Sequence, residues 1–403
     1  MRNNYFAKLI KYIKNVYRVD KTLSKLRDER VNPTYSTELI IMIVLFGFLL
    51  RIRSFNELNL MIKNGEFKNL FPKKTKFPGI DAIRDTIKTI KIEELRIAIK
   101  NIVKKAIENK VFDNGTIEGY TVVAIDGTRL FKSNVKYCSK CLSTTVKGKN
   151  EYYHNGTVLS IIGDVPKITI DLEMYNAKID PSKKDEGEQN AAKRLLSRVI
   201  TTHKDFIDVV VYDALACNSK WFNHCKELNI DTIVRVKNNN NRSLRETKRL
   251  INKQKPVEII ENIKCVIKVY ENVFTMNGVA QPLRFVKFEI KYKNNKRSQI
   301  MIVTTCMEMD NKTIYKIIKA RWDIENCVFN NLKNNSNLEH CYVHGGNAVE
   351  VVLYLMFIAN NLFQLFKMKR IRNHIPIQRE LVRLLLKGLY LLKYDRQLIF
   401  SSG

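Results

Sequence analysis

The chain has 403 residues, 45% of them hydrophobic, enough to bury a sizeable core in one large or two to three smaller domains and too apolar for a disordered polymer. Seventy Lys and Arg against 40 acidic residues give a net charge of +30, which argues against a basic partner and favours a polyanion, nucleic acid first and an anionic membrane second. Part of that excess follows from a composition rich in Lys, Asn and Ile. The eight cysteines are scattered, so reduced thiols in the cytosol are expected rather than a disulfide scaffold.

The N-terminal stretch MRNNYFAKLIKYIKNVYRVDKTL is basic and amphipathic but lacks the continuous apolar segment of a signal peptide. Residues 1–115 read as helical: apolar residues recur at three- and four-residue spacing through Phe6, Leu9, Ile10 and Ile13, then from Ile92 to Val103. The run LIIMIVLFGFLL, Leu39 to Leu50, is too short to span a bilayer and predicts a buried helix. Pro72 and Pro78 bracket a basic loop, and a short helix is expected over GIDAIRDTIKTI with Asp81 as its cap. This basic helical region is either a DNA-recognition module or a packing scaffold.

From about 118 the pattern changes to strands: TVVAIDG, TVLSIIGDV and KITIDLEMY. A helix is predicted over 187–203, a strand over 207–212, a helix near 218–228 and a strand at DTIVRVK. Strands alternating with helices indicate an α/β sheet with some antiparallel hairpins. KNNNNR, 237–242, is the nearest thing to a low-complexity linker. Over 241–299 a β-rich insertion is predicted, with turns at Asn277-Gly278 and Asn294-Asn295. A long helix begins after Asp310 and runs through Glu325; another, Ala348 to Met368, is apolar on most sides and packs on the core. The tail, 371–403, is basic and helical.

Three acidic residues sit where a carboxylate suits a metal ion. Asp126 ends the run TVVAIDG and Asp213 ends DVVVYD. An acid straight after a β-favouring apolar run is costly unless it emerges at the strand end, and C-terminal strand ends of open α/β sheets are where ligands bind. Glu325 lies in ARWDIENCVFNNLK, four residues after Arg321 and eight before Lys333, with Trp322 in the same turn. A carboxylate flanked by Arg and Lys is suited to metal ions and phosphates together.

These segments, AIDGTRLF around Asp126, VVVYDALACN around Asp213 and RWDIENCVFNNLK from Arg321 to Lys333, resemble the DDE transposases of bacterial insertion sequences, in the subgroup with a tyrosine-arginine-glutamate-lysine signature. The resemblance extends more weakly over 120–365. It implies a ribonuclease H-like catalytic core, 116–240 and 300–370, interrupted by the β insertion at 241–299. It implies Asp126, Asp213 and Glu325 as catalytic ligands of two Mg²⁺ ions, with Mn²⁺ an acceptable substitute. Arg321, Lys333 and Trp322 would contact DNA. Double-stranded DNA, as element terminal inverted repeats and target, would be the partner of a homodimer in the bacterial cytoplasm, associated with the nucleoid and with no membrane role. A nuclease of the same fold and a non-catalytic DNA-binding regulator are the alternatives. The chain departs from the signature twice. Ile318 stands where tyrosine is expected, with Tyr315 one turn earlier, and Lys333 is eight rather than seven residues after the glutamate, which on an α-helix turns the cation by about 100°.

Cys138 and Cys141 form a CxxC, with His154 downstream. Zinc needs four ligands, and His344 or Cys341 could complete a set only if the fold brings them close; two free thiols at a strand edge are the simpler expectation. His340 and His344 are expected to pack. Glu186 and Glu188 precede or open the helix at 187–203 and read as caps acting on its dipole.

Overall fold

The computed structural model describes residues 4–178, 184–237, 242–371, 375 and 377–402. The tract 238–241, most of KNNNNR, lies outside these. The N-terminal third is helical: α1 (Tyr5–Asn15), α2 (Val19–Leu23), α3 (Thr37–Leu49), α4 (Phe55–Lys63), α5 (Ile80–Thr89) and α6 (Ile92–Glu108). Side-chain caps open α1, α3 and α4. Asn4 accepts from the Ala7 amide, Ser36 from Leu39 and Ser54 from Glu57. At α5 the cap is Gly79, and Asp81 falls inside the first turn; there it favours the positive helix end but caps no amide.

The sheet-bearing half opens with β1 (Val122–Ser133), β2 (Leu142–Val146), β3 (Lys149–Ile161) and β4 (Thr169–Met174), then α7 (Glu188–Thr202), β5 (Val209–Tyr212), α8 (Ser219–Glu227), β6 (Asp231–Arg235) and α9 (Arg242–Ile251). Strands β7 (Glu258–Glu261), β8 (Cys265–Phe274), β9 (Leu283–Tyr292) and β10 (Arg297–Thr304) follow, then α10 (Asn311–Ala320), a π-helical segment Ile324–Phe329, α11 (Asn330–Ser336), α12 (Ala348–Phe366) and α13 (Gln378–Tyr390).

The strands form one ten-stranded sheet. At its centre β1 pairs antiparallel with β3, which pairs antiparallel with β4, while β1, β5 and β6 run parallel. This order, β4-β3-β1-β5-β6, is the ribonuclease H-like arrangement expected from the sequence. The β7–β10 meander then continues the sheet antiparallel from the free edge of β6. The period-2 signal gave only the buried middle of the first hairpin. Beyond it β1 runs on to Ser133, and β2 lies end to end with β4 along the same edge of β3, where exposed polar residues mask the alternation.

Helix α12 is the axis of the helical half. It is long and apolar enough to cross a membrane, yet 83% of its most apolar window is buried. It packs against α1, α3, α5, α6 and β4. Each buried Leu, Ile or Phe there contributes about 1.5–3 kcal/mol relative to exposure, so this apolar surface is already used within the fold. One hydrophobic core runs from Phe6 to Phe400 through both halves. Across the seam, a buried ion network ties Arg96 of α6 and Arg194 and Arg198 of α7 to Asp171 and Glu173 of β4 and to Glu350 of α12. Tyr354 donates to Asp171 Oδ1 (2.9 Å) in the same network.

Candidate functional site

Parallel register sets the first two acids level. Val122, Val123 and Ala124 of β1 pair with Val209, Val210 and Val211 of β5. Asp126 and Asp213 each stand two residues beyond the last pair, on the same face as Ala124 and Val211 because strand side chains alternate. Asp213 follows the C-terminal end of β5, whereas Asp126, expected at a strand end, lies inside β1, which runs on to Ser133 past the end of its pairing with β5; both are half-buried. Asp126 Oδ1 accepts from the Gly127 amide at 3.0 Å, and Asp213 Oδ1 from Leu215 at 2.8 Å, opening a 3₁₀ turn.

Glu325 arrives from the other side of the sequence, on the π-helical segment, which packs on β1. Asp323, one turn-face away, accepts from the Gly163 amide (3.1 Å) and pairs with Lys167, fixing this helix to the β3–β4 turn. Arg321 is only 4% exposed, and its Nη2 donates to Glu325 Oε1 at 2.9 Å. The guanidinium also lies 4.4 Å from the Trp322 ring centroid, and Arg235 lies 5.7 Å from the same ring. Trp322 itself is 41% exposed. Arg321 Nε is buried without a hydrogen-bond partner. Lys333, on α11, pairs with Glu339 at 2.8 Å and is partly exposed.

The field at this corner is negative. Burial first, then Glu325 and Glu188, raise the Asp126 carboxyl to about 7 against the pull of Arg321 and the Gly127 amide. Glu188 was read from sequence as a cap on α7. Its place is the first turn, but its carboxylate turns inward, where it accepts from Tyr212 (2.9 Å) and lies beside Tyr175. Burial raises Glu188 above the ordinary carboxylate range, Asp213 adds to this, and the Tyr212 hydrogen bond lowers it. The signal was present: Glu188 shares the spacing of Ala191, Ala192 and Leu195, the buried face of α7. A glycine at 127 makes room for it, since a Cβ there would collide with Glu188 Oε2 and lie 2.6 Å from Tyr175 Oη.

The site therefore holds Asp126, Asp213, Glu325 and the unforeseen Glu188. Residues 118–362, more than half of the chain, match the family described as Transposase DDE domain. The chain belongs to that family. No individually curated protein matches it. As a DDE transposase it acts on DNA, and divalent metal ions are the family's general cofactors. The donor set here, carboxylate oxygens alone, is that of a hard cation such as Mg²⁺ or Mn²⁺. The upward displacement of Asp126, set first by burial and then by Glu325 and Glu188, is one that a bound cation would oppose. Among the described residues, the group of candidate ligand atoms lying mutually within 4.8 Å is not this one. Asp126, Asp213, Glu325 and Glu188 are spread more widely than that.

Sequence reasoning placed Lys333 about 100° out of position. The intervening segment Ile324–Phe329 is π-helical, and each i→i+5 turn holds one residue more than an α turn. That extra residue takes up the eight-residue spacing, so Lys333 follows Glu325 much as a seven-residue spacing would on a plain α-helix. Ile318, at the signature's tyrosine position, is buried, and Tyr315 packs on Phe288 at 5.3 Å.

Proposed function

We propose that this transposase cuts DNA at the ends of its insertion sequence and joins the freed 3′-hydroxyl to target DNA, with Asp126, Asp213 and Glu325 as ligands of two Mg²⁺ ions. The observation that carries this reading is the β1–β5 register that levels Asp126 with Asp213, together with the direct electrostatic effect of Glu325 on Asp126. Bound there, the ions would lower the pKa of an attacking water or orient a 3′-hydroxyl, and would stabilise the leaving oxygen.

The chain's own residues do the positioning. Asp126, on the strand that lies beside both β5 and the Glu325 segment, would be the central ligand of the site. Arg321 holds Glu325 in orientation and keeps an unpartnered Nε for a phosphate oxygen. Trp322, exposed and flanked by Arg321 and Arg235, offers a stacking face to a displaced base. Lys333 exchanges Glu339 for a backbone phosphate. The π-compensated spacing favours the tyrosine-arginine-glutamate-lysine subgroup despite Ile318. Two element ends have to be held together, so a homodimer works on DNA, in the bacterial cytoplasm. The basic helices of residues 1–115 contribute DNA contacts as well as scaffold.

The test is strand transfer with duplexes carrying the inverted repeats that flank the gene, precut at the 3′ end, in Mg²⁺. Wild type should join them to target DNA, and Glu325→Gln should bind the same DNA without joining. Joining that survives Glu325→Gln would sink the assignment. Cutting without joining would move the protein to the nuclease class.

A further inference from the structure

A second cluster lies on the same sheet, outside the acidic corner. Cys138 and Cys141 sit on the turn that leads into β2, with the Cys141 amide donating to the Cys138 carbonyl at 3.0 Å. His154 is buried on β3, next to Tyr153, which pairs with Leu142. His344 comes from the loop between α11 and α12. One ligand atom from each of the four lies within 4.8 Å of all the others. Cys138 Sγ and Cys141 Sγ are 3.7 Å apart, Cys138 Sγ and Cys141 Sγ are 3.5 and 3.3 Å from His154 Nε2, and Cys141 Sγ is 3.4 Å from His344 Nε2.

Those lengths decide between the possible roles. A tetrahedral zinc with bonds of about 2.3 Å to sulfur and about 2.05 Å to nitrogen has edges of about 3.8 Å between sulfurs and about 3.6 Å between sulfur and nitrogen. The observed separations fit those edges. A disulfide would bring the sulfurs to about 2.05 Å and leave both imidazoles without a task. Simple packing does not explain why both histidines present Nε2 to the thiols. Phe131 walls one side, its ring 5.5 Å from His154 and 5.0 Å from His344. Four protein ligands and an apolar wall make a closed site, the structural rather than the catalytic kind.

We propose that Cys138, Cys141, His154 and His344 bind one structural Zn²⁺. Binding displaces the two thiol protons, leaving two thiolates and two neutral imidazoles around the ion. The ion joins the β1–β3 hairpin to the loop that follows α11. It thereby ties the segment downstream of Glu325 and Lys333 to the strand that carries Asp126, across some two hundred residues of sequence. Zinc binding itself does not depend on the proposed function. Cys341, close to Cys138 and Cys141 in space, is not in the ligand set.

The experiment uses the full chain, purified without chelator and dialysed against metal-free buffer. Elemental analysis should give about one zinc per chain. Replacement with Co²⁺ should give the intense visible bands of a tetrahedral site and a thiolate-to-cobalt charge-transfer band. Cys138→Ser and His344→Ala should each lose most of the zinc, and Cys341→Ser should keep it. Should those variants fail to fold, protection of Cys138 and Cys141 from alkylation in the wild type, lost on chelation, gives the same answer. Glu325→Gln should keep full zinc, so failure of the transposase assignment and failure of this site are separable. Zinc-free wild-type protein with an octahedral-type cobalt spectrum, a Cys138–Cys141 disulfide by mass, or zinc lost on Cys341→Ser would each overturn the proposal.

Discussion

Two clusters on one sheet solve opposite problems. Around β1 and the end of β5, Asp126, Asp213, Glu325 and Glu188 are spread apart and partly exposed, and burial together with Glu325 and Glu188 raises the Asp126 carboxyl to about 7. At the hairpin, two cysteines and two histidines have closed to tetrahedral spacing behind Phe131. An open, over-charged set of oxygen ligands can take and release ions together with a phosphodiester; a closed set of sulfur and nitrogen ligands can only hold. The lesson is that a site built for turnover is left electrostatically unsatisfied by its own fold, while a site built for stability is not.

The comparison breaks first if the acids are dispensable. Asp213→Asn should reduce DNA cleavage at least about a thousandfold, the several kcal/mol that a lost metal ligand removes, with DNA binding and zinc content unchanged; gel-based cleavage rates beside elemental analysis check both. Glu188→Gln should cost less, about ten- to a hundredfold. It should also move the pH profile of cleavage to lower pH, because Asp126 loses one of the anions that raise it. An unmoved profile would mean that Glu188 merely supports Tyr212.

A third prediction concerns stability without divalent ions. The Asp126 carboxyl is raised to about 7 from an ordinary 3.8. The folded state therefore holds this proton more tightly than the unfolded one. The resulting stabilisation is full below about pH 4 and is lost as pH rises through about 7. Asp126→Asn should melt higher than wild type at pH 8, by at most a few kcal/mol at about 1.4 kcal/mol per pKa unit, and the gap should narrow at pH 5 and close only below about pH 4. Thermal melts of the metal-free proteins decide it. The smallest effect is expected from Lys333→Ala, which should weaken DNA binding evenly across sequences and reduce the salt slope by about one. A larger loss confined to cleavage would place Lys333 at the reacting phosphate.

The sequence disclosed Asp126 and Asp213 because a carboxylate after four apolar β-formers has few other places to be. It disclosed the α12 and α3 cores because their apolar runs leave no polar face. It disclosed less wherever a face is shared. Glu188 carries both a helix-start pattern and a buried-face pattern, and the first was read where the second decides. The extension of β1 and the short β2 were hidden by lysines and asparagines on an exposed edge. His344 could not be joined to Cys138 from spacing, since nothing local relates the two. The π-turn at Glu325 left only an indirect trace, a signature longer by one residue.

Anomalous scattering from Mn²⁺-soaked crystals of the protein bound to precut element ends tests the central claim most directly. The account predicts two manganese peaks beside the scissile phosphate, both touching Asp126, with Asp213 on one and Glu325 on the other. Density for manganese elsewhere, or peaks that Asp213 and Glu325 do not reach, would contradict it.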